Sequence, residues 1–367
     1  MDAPIRILQM IGSLNMGGSQ TMIINLYKNI DRSKIQFDFI LDHPLELYYK
    51  EMVVAMGAKI YFMPTFKGTN VLEIKKAWNA FFAEHPEYKI LHSHVRSYAS
   101  LYLPIAKKYG VKTIIHSHST ANGKGFASVV KRILQYPLRR QADYLFACSE
   151  ESGKWLFGKK AIKKSNYRML PNAVDTAKYA FNEVTRAEMR CDLGVEEGAV
   201  VYGHVGRLHP AKNHLFLLEV FKGVLEKQAN AVLMIVGDGE LRGEIEAKIC
   251  ELGIGASVKL LGARSDVPDL MQAMDVFVFP SKWEGLPVTV VEAQAAGLPC
   301  FISNTITKDV DVSMLIKRLP VASSDVWVDE ILNSNLKRLD AIPDIINAGF
   351  DVKEASAWLD EFYNSLI

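Results

Sequence analysis

Cysteine is scarce in this chain and thinly spread. Cys148, Cys191, Cys250 and Cys300 stand far apart, with no C-x-x-C pair among them. That spacing argues against a disulfide framework and against a cysteine-type zinc site. It suits a reducing cytoplasm, with the four thiols expected in the core. Long apolar runs are also missing, and none approaches the ~20 residues of a membrane-spanning helix. The opening "MDAPIRILQMIGS" has Asp2 where a secretory leader would be basic, and its apolar run is short and strand-like. Repeats and low-complexity segments are absent.

What is present describes an ordinary globular protein, 49% hydrophobic and 23% charged. Its 367 residues exceed what one core usually fills, so two domains are expected. The net charge of +2 hides an uneven distribution. Residues 1–180 carry 26 Lys and Arg against 13 Asp and Glu, whereas residues 181–367 carry 17 against 28. A basic first half beside an acidic second half supports two domains and suggests an anionic partner for the first. The boundary is expected after "MLPNAVD", giving domains 1–178 and 179–349, with the tail 350–367 as an amphipathic helix. On that helix Ala355, Trp358, Phe362 and Leu366 share a face.

Short β-rich runs alternate with helical patterns throughout. "IRILQM", "FDFIL", "KIYFM", "ILHSH", "TIIHSH" and "YLFACS" read as strands of the first half; "VVYGHVG", "VLMIVG", "VKLLG", "VFVFPS" and "PCFIS" restart the pattern. Helices are expected around 213–228, 241–252 and 287–296. Alternation of this kind builds parallel sheets from βαβ units. The fold class is therefore α/β, with two Rossmann-like doubly wound sheets facing across a cleft, and ligands at the carboxyl ends of the strands.

The motifs follow strands as that rule requires. In "IGSLNMGGSQTMIINL", Gly17 and Gly18 precede a helix, where backbone amides can approach an anion or simply make a tight turn. In "VGRLHPAKNHLFLLEVF", Arg207 and Lys212 bracket a loop that leads into a helix, with Asn213 as its expected cap. A guanidinium and an ammonium at such a place would cradle a diphosphate. "IVGDGELRGEI" has Gly237, Gly239 and Gly243 after a strand, but Asp238 and Glu240 would repel a pyrophosphate, so it reads as a plain turn. "SKWEGLPVTVVEAQAAGLP" places Glu284 before a nearly all-apolar helix and Glu292 in its second turn. Thr289 shares the face of Glu292, and Pro287 suits the first helical position. Buried carboxylates need partners. Sugar hydroxyls would supply them, and an internal arginine is the alternative. His92/His94 and His116/His118 form two H-x-H pairs that could chelate a metal or hydrogen-bond a substrate, though core or capping roles are commoner for any one of them. "DVD" at 309–311 is an acid-x-acid pattern, read as a solvated loop.

Taken together, "MGGSQ", "IIHSHS", "MLPNAVD", "VGRLHPAKN", "VGDGELR" and above all "SKWEGLPVTVVEA", with its E-x7-E spacing, resemble the retaining glycosyltransferases of family 4, which have the GT-B fold. The resemblance implies a nucleotide-diphosphate sugar as donor, a UDP-sugar favoured, and no other cofactor; no metal is expected, because Arg207, Lys212 and the helix amides supply the positive charge that a divalent ion provides elsewhere. It implies that Glu292 binds the donor ribose and Glu284 the transferred sugar, with Arg207 and Lys212 on the diphosphate. The amides of Gly18 and of Gly285–Leu286 would assist them. The loop from Arg264 to Val267 would hold the nucleobase, and His118 would be the active-site histidine on the acceptor side, with His116 as the alternative register. Pro287 lacks the amide that a glycine offers in other family members. Nothing is assigned in residues 303–350.

The expected activity is transfer to a glycan or lipid-linked acceptor in surface polysaccharide assembly. Peripheral membrane association through the basic first domain is part of that expectation: Lys131, Arg132, Arg139 and Arg140 interleave with apolar residues in 125–141, and Lys154, Lys159, Lys160, Lys163 and Lys164 follow. The alternatives are a sugar-nucleotide epimerase on the same fold, a zinc hydrolase built on the H-x-H pairs, and a non-catalytic sugar-nucleotide sensor.

Overall fold

Residues 3–15, 17–43, 47–119 and 126–367 are described in a computed structural model, without the side chains of 126–128 and 130. Met16 of "MGGSQ" and residues 120–125 fall outside that set.

The chain forms two compact units. One is built from Met1–Ala173 together with Asp351–Ile367, the other from Val174–Phe350. The division falls slightly before the expected 178. Val174 and Tyr179 pack into the core of the second unit, so "MLPNAVD" is itself the crossing point.

The first unit has seven parallel strands: β1 (Ile5–Ile11), β2 (Ile35–Leu41), β3 (Ile60–Phe62), β4 (Ile90–Ser93), β5 (Lys112–Ser117), β6 (Tyr144–Ala147) and β7 (Tyr167–Met169), ordered β3-β2-β1-β4-β5-β6-β7. The second has β8 (Val200–Val205), β9 (Ala231–Val236), β10 (Val258–Leu260), β11 (Val276–Phe279), β12 (Cys300–Ser303) and β13 (Ile316–Leu319), ordered β10-β9-β8-β11-β12-β13. Both sheets wind outward from the first strand and then jump to its other side. The winding reverses between β1 and β4 in one unit and between β8 and β11 in the other. Loops leaving such neighbours diverge and open a crevice at the carboxyl edge.

Strands buried on both faces read as continuous apolar runs, which is why β1, β8 and β11 are legible in sequence. The last strand of each sheet is not. β7 ("YRM") and β13 ("IKRL") are edge strands with exposed or half-buried charged positions, and neither carries an apolar signal. The final helix, Val352–Asn364, belongs to the first unit. Trp358, Phe362 and Leu366 are half-buried against its core, while Leu359 and Tyr363, which the amphipathic pattern did not single out, are the fully buried ones. Cys148 and Cys300 are buried, but Cys191 and Cys250 are exposed, so only two of the four thiols are core residues.

The glycines after β9 have a mechanical reason. Gly237 has φ +138°, and a Cβ there would lie 2.0 Å from the Gly206 carbonyl oxygen; at Gly239 it would lie 2.5 Å from the Leu208 oxygen. Leu208 N–H donates to the Asp238 carbonyl at 3.0 Å, locking this turn to the loop after β8. Gly243, inside the helix Arg242–Glu251, has open space around it. Gly237→Ala should therefore lower stability by on the order of 3 kcal/mol, through strained φ and backbone overlap, while Gly243→Ala raises it by about 0.5–1 kcal/mol. Denaturant titration of both variants checks this, and a neutral Gly237→Ala would remove the packing explanation.

Candidate active site

The reversal between β8 and β11 assembles most of the charged residues that the sequence singled out. After β8 the chain runs through Gly206 and Arg207 to a single turn, Pro210–Lys212, and then into the helix His214–Lys227. After β11 it passes Pro280 and Glu284 before the helix Val288–Ala295. Lys212 and Glu284, one from each loop, meet at 2.8 Å with only 16% and 14% of their side chains exposed. The contact is an ion pair whose angles fall outside hydrogen-bond geometry. Lys212 Nζ also lies 4.6 Å from the centre of the Phe279 ring, a cation–π contact. Its stem packs over Gly206, where a Cβ would stand 3.1 Å from Lys212 Cε.

Two local expectations change. Asn213 does not cap the following helix through its side chain. It adopts the left-handed conformation (φ 60°), which asparagine tolerates, and its Nδ2 donates to the Pro280 carbonyl at 3.2 Å, tying the two loops together. Pro287 is the residue before the helix, which starts at Val288, so its ring fixes the entry and does not occupy the first turn.

Arg207 is 71% exposed and contacts Glu240 at 3.2 Å, across the crossing between this loop and the turn after β9. Glu240, read from sequence only as repulsive, is thus the partner of the neighbouring cation. His209 approaches the same carboxylate at 3.7 Å.

Glu292 has no arginine partner among the described residues. Beside it is the Tyr179 hydroxyl, a contact invisible in the sequence because the residues are more than a hundred positions apart. Burial pushes the Glu292 carboxyl up to about 7, and the Tyr179 hydroxyl acts in the opposite direction. Thr289 Oγ1 is buried without a hydrogen-bond partner, so the face shared by Thr289 and Glu292 is a polar patch on an apolar helix with bonding capacity left over. Gly285 has open space around it, and Leu286 is half-buried against the core. Arg264 forms a two-pronged pair with Asp266, its Nε 2.8 Å from Oδ1, just before the helix that begins at Val267. Of the aspartates in "DVD", Asp311 is held by Arg318, with Nε to Oδ2 at 2.8 Å.

In the first unit Gly17 precedes the helix Gly18–Asn29 in extended conformation, and a Cβ on it would overlap the Gln20 side chain at 2.7 Å. Gly18 lies near Asn172. The four histidines form one stack: ring centres are 4.5 Å apart for His92 and His94, 5.0 Å for His94 and His118, and 4.1 Å for His116 and His118, with planes within 28° of parallel in these pairs and 36° apart for His94 and His116. Nitrogens of His92, His94 and His116 lie within 4.8 Å of one another. Imidazole lone pairs lie in the ring plane, so near-parallel rings do not aim at one point, and a tetrahedral zinc would require nitrogens about 3.3 Å apart. The stack is not arranged as a chelate.

It is a hydrogen-bonded relay. Gln9 Nε2 donates to the Tyr363 hydroxyl at 3.3 Å, so its Oε1 faces His94 Nε2 at 3.0 Å and must accept. His94 therefore carries its proton on Nε2, its Nδ1 accepts, and His118 Nε2, 2.8 Å away, donates. That leaves the lone pair of His118 on Nδ1, beside Asn172. Tyr363 closes the relay at 2.6 Å from His92 Nδ1. Burial, then Arg96, holds His118 down to about 3, and burial with the neighbouring imidazoles lowers His92, His94 and His116. The stack is neutral throughout the physiological range.

Two family models match the chain in succession: "Glycosyltransferase Family 4" matches residues 16–178 and "Glycosyl transferases group 1" matches residues 185–310. The Bacillus subtilis protein EpsF, named as a glycosyltransferase, is 32% identical over 98% of this chain and 96% of its own length. An Escherichia coli UDP-Gal:α-D-GlcNAc-diphosphoundecaprenol α-1,3-galactosyltransferase is 27% identical over 79% of this chain and 76% of its own. Among solved structures, Anabaena Alr3699/HepE, in complex with UDP, superposes with a TM-score of 0.79 at 19% identity, covering 98% of this chain and all of that one.

The raised Glu292 pKa gives a stability prediction. The folded state keeps a proton that the unfolded chain releases at an ordinary carboxylate pKa near 4.3, so stability should fall as pH rises from there to about 7 and then level off. Glu292→Gln should remove that slope and be the more stable form at pH 8, by at most about 4 kcal/mol. Calorimetric scans from pH 4 to 8 test it, and superimposable wild-type and variant profiles would show that the carboxyl is not perturbed.

Proposed function

The chain belongs to the family 4 glycosyltransferases of the GT-B fold, and on that premise we propose that it transfers a sugar, with retention at the anomeric carbon, from a nucleotide-diphosphate sugar to a glycan or lipid-linked acceptor. It is a glycosyltransferase of polysaccharide or glycan biosynthesis; the donor, the acceptor and the stereochemistry are the proposed part. A UDP-sugar is favoured, in line with the UDP-galactose donor named for the Escherichia coli relative and the UDP named for the Anabaena structure. Relatives named as transferases give the epimerase alternative no support.

The observation that carries the reading is the Lys212–Glu284 pair at the reversal of the second sheet. An incoming diphosphate competes with Glu284 for Lys212 and with Glu240 for Arg207. Each displaced carboxylate then needs a donor, and Glu284 finds one in the hydroxyls of the transferred sugar. Glu292 and Thr289 offer their unused bonding capacity to the ribose. The Arg264–Val267 loop borders the nucleobase, and the amides of Gly285–Leu286 assist at the phosphates. As the glycosidic bond to the diphosphate breaks, negative charge grows on the leaving oxygen, and Lys212 and Arg207 stabilise it without a metal ion. The acceptor hydroxyl attacks from the same face and passes its proton to the departing phosphate. His118, neutral and with its tautomer set by His94, orients substrate on the acceptor side as a hydrogen-bonding group; it does not act as an acid.

Lys212→Ala and Arg207→Ala should each lower kcat/KM by roughly 30–1,000-fold (about 2–4 kcal/mol) in a folded protein. Glu292→Gln should weaken binding of the nucleotide alone, whereas Glu284→Gln spares it and damages turnover. Calorimetry with nucleotide and steady-state kinetics separate these, and the reverse ordering of the glutamates would exchange their roles.

Among the described residues no helix is long and apolar enough to cross a membrane. A cytoplasmic protein held peripherally at the membrane is the setting we favour. On the helix Phe126–Gln135 and just beyond it, Val129, Ile133 and Tyr136 are 51%, 67% and 62% exposed beside Lys131, Arg132, Arg139 and Arg140. Exposed apolar side chains among cations fit an anionic leaflet, each cation contributing on the order of 1 kcal/mol. Flotation with anionic liposomes should carry the protein at low salt and release it at high salt. Protein left behind at low salt would favour a soluble acceptor.

A further inference from the structure

Lys212 and Glu284 belong to different loops, so their 2.8 Å approach depends on what holds one loop against the other. Three bonds join them. At the strand ends His204 Nδ1 donates to the Val278 carbonyl at 2.8 Å. Beyond the strands Lys282 N–H donates to the Ala211 carbonyl at 2.7 Å, and Asn213 Nδ2 donates to the Pro280 carbonyl at 3.2 Å. Ala211 and Asn213 are the two chain neighbours of Lys212. The lysine is therefore the residue between two cross-loop bonds, and its place relative to the loop after β11 is set from both sides. The Ala211 bond runs from backbone to backbone, and any residue except proline at 282 could make it. The Asn213 bond is made by a side chain, so residue type decides whether it exists.

The backbone at 213 points the same way. Among the described residues Asn213, with φ 60°, is the one non-glycine residue at positive φ, and the other positions of that kind are glycines. Glycine takes the left-handed angle without the steric cost of a Cβ. It would relieve that cost and lose the amide; this chain keeps the amide. A carbonyl only accepts, so the NH2 end of the side chain must face Pro280. Backbone strain retained at one position is characteristic of functional sites. Here the strained residue adjoins Lys212, and Phe279, the residue before Pro280, carries the ring that lies 4.6 Å from the Lys212 ammonium.

We propose that Asn213 is a positioning residue of the transfer reaction, fixing the spacing between the Lys212 ammonium and the Glu284 carboxylate at which one donor molecule meets both. The inference rests on the reading of that pair as the diphosphate and sugar contacts. Of the two, only Lys212 meets a bare nucleotide. A shift of one loop against the other is therefore felt at the sugar and the reacting bond, and not by UDP. Misplacing a reacting group by about 1 Å can cost on the order of 100-fold in rate.

The variants are Asn213→Gly, which keeps the backbone angle and deletes the amide, and Asn213→Asp, which tolerates the angle but turns an oxygen toward the Pro280 carbonyl. Turnover is read as UDP release from UDP-galactose, UDP-glucose and UDP-N-acetylglucosamine, and affinity by calorimetry with UDP. Both variants should lower kcat by about 10-fold or more, with donor KM and UDP affinity within about 3-fold of wild type. Melting temperatures should stay within a few degrees. A residue that only supported the fold would not separate kcat from KM and UDP binding in this way. In a Glu284→Gln background the same substitutions should cost less than about 3-fold, because the contact they align is already gone. In the ligand-free protein, Glu284→Gln should shift the urea midpoint less in the Asn213→Gly chain than in the wild type.

Wild-type kcat in either variant overturns the proposal. So does a kcat loss that multiplies in full with Glu284→Gln, a parallel loss of UDP affinity, or a loss confined to variants that melt well below wild type. If the wild type neither binds UDP nor releases it from these donors, the transferase reading fails, and the ligand-free comparison still decides whether Asn213 holds the pair.

Discussion

Everything of chemical interest in the second unit depends on the winding of its sheet. A parallel strand delivers its following loop to one edge only, and neighbouring strands wound in the same direction send their helices to the same face. Where the winding reverses, between β8 and β11, the two loops leave toward opposite faces and cannot fill the space between them. Lys212 and Glu284, more than seventy residues apart, come within 2.8 Å for that reason. The glycines support the same junction. Gly206 makes room for the lysine stem, and Gly237 and Gly239 let the turn after β9 press against the loop that presents Arg207.

The site keeps its charges internally balanced while it waits. Lys212 is held by Glu284 and Arg207 by Glu240. The two contacts differ in consequence. The first is largely withdrawn from water, so breaking it is costly unless both partners are satisfied anew. The second is exposed and weak, and contributes little beyond keeping the guanidinium near the loop. A ligand able to meet an ammonium and a carboxylate simultaneously is therefore selected over a bare anion. Glu292 follows a different logic, since burial outweighs the Tyr179 hydroxyl in raising its carboxyl and no cation pairs with it among the described residues.

What could be read in the sequence follows from how local each signal is. Strands buried on both faces, the glycine turns and the E-x7-E spacing are features of contiguous residues, and they place β8, β11 and the helix Val288–Ala295 to within two residues. The edge strands β7 and β13 were missed because charged and exposed positions erase the apolar pattern. Residue type alone suggests a capping role for Asn213, whereas the observed reason for it is a left-handed backbone angle, which composition does not reveal. Partners distant in the chain were out of reach: Tyr179 for Glu292, Glu240 for Arg207, and Gln9 with Tyr363 behind the histidine stack. The H-x-H spacing correctly put the imidazoles on one strand face, but ring orientation, which separates a chelate from a stack, is set by packing.

The chain order of the units has a consequence for how the protein is made. The first unit is interrupted after Ala173 and completed only by Asp351–Ile367, which bring Leu359 and Tyr363 to its core. While the intervening segment is unfolded, joining those two pieces closes a loop of nearly half the chain, an entropic cost of about 4–5 kcal/mol. Folding of the second unit removes most of that cost, because its own ends are then adjacent, with Val174 N–H donating to the Phe350 carbonyl at 2.7 Å. The ribosome releases the second unit before the final helix, so synthesis and loop entropy favour the same order. The expected order has the inserted unit folded before the final helix docks, so that the histidine relay, which needs Tyr363, is completed last.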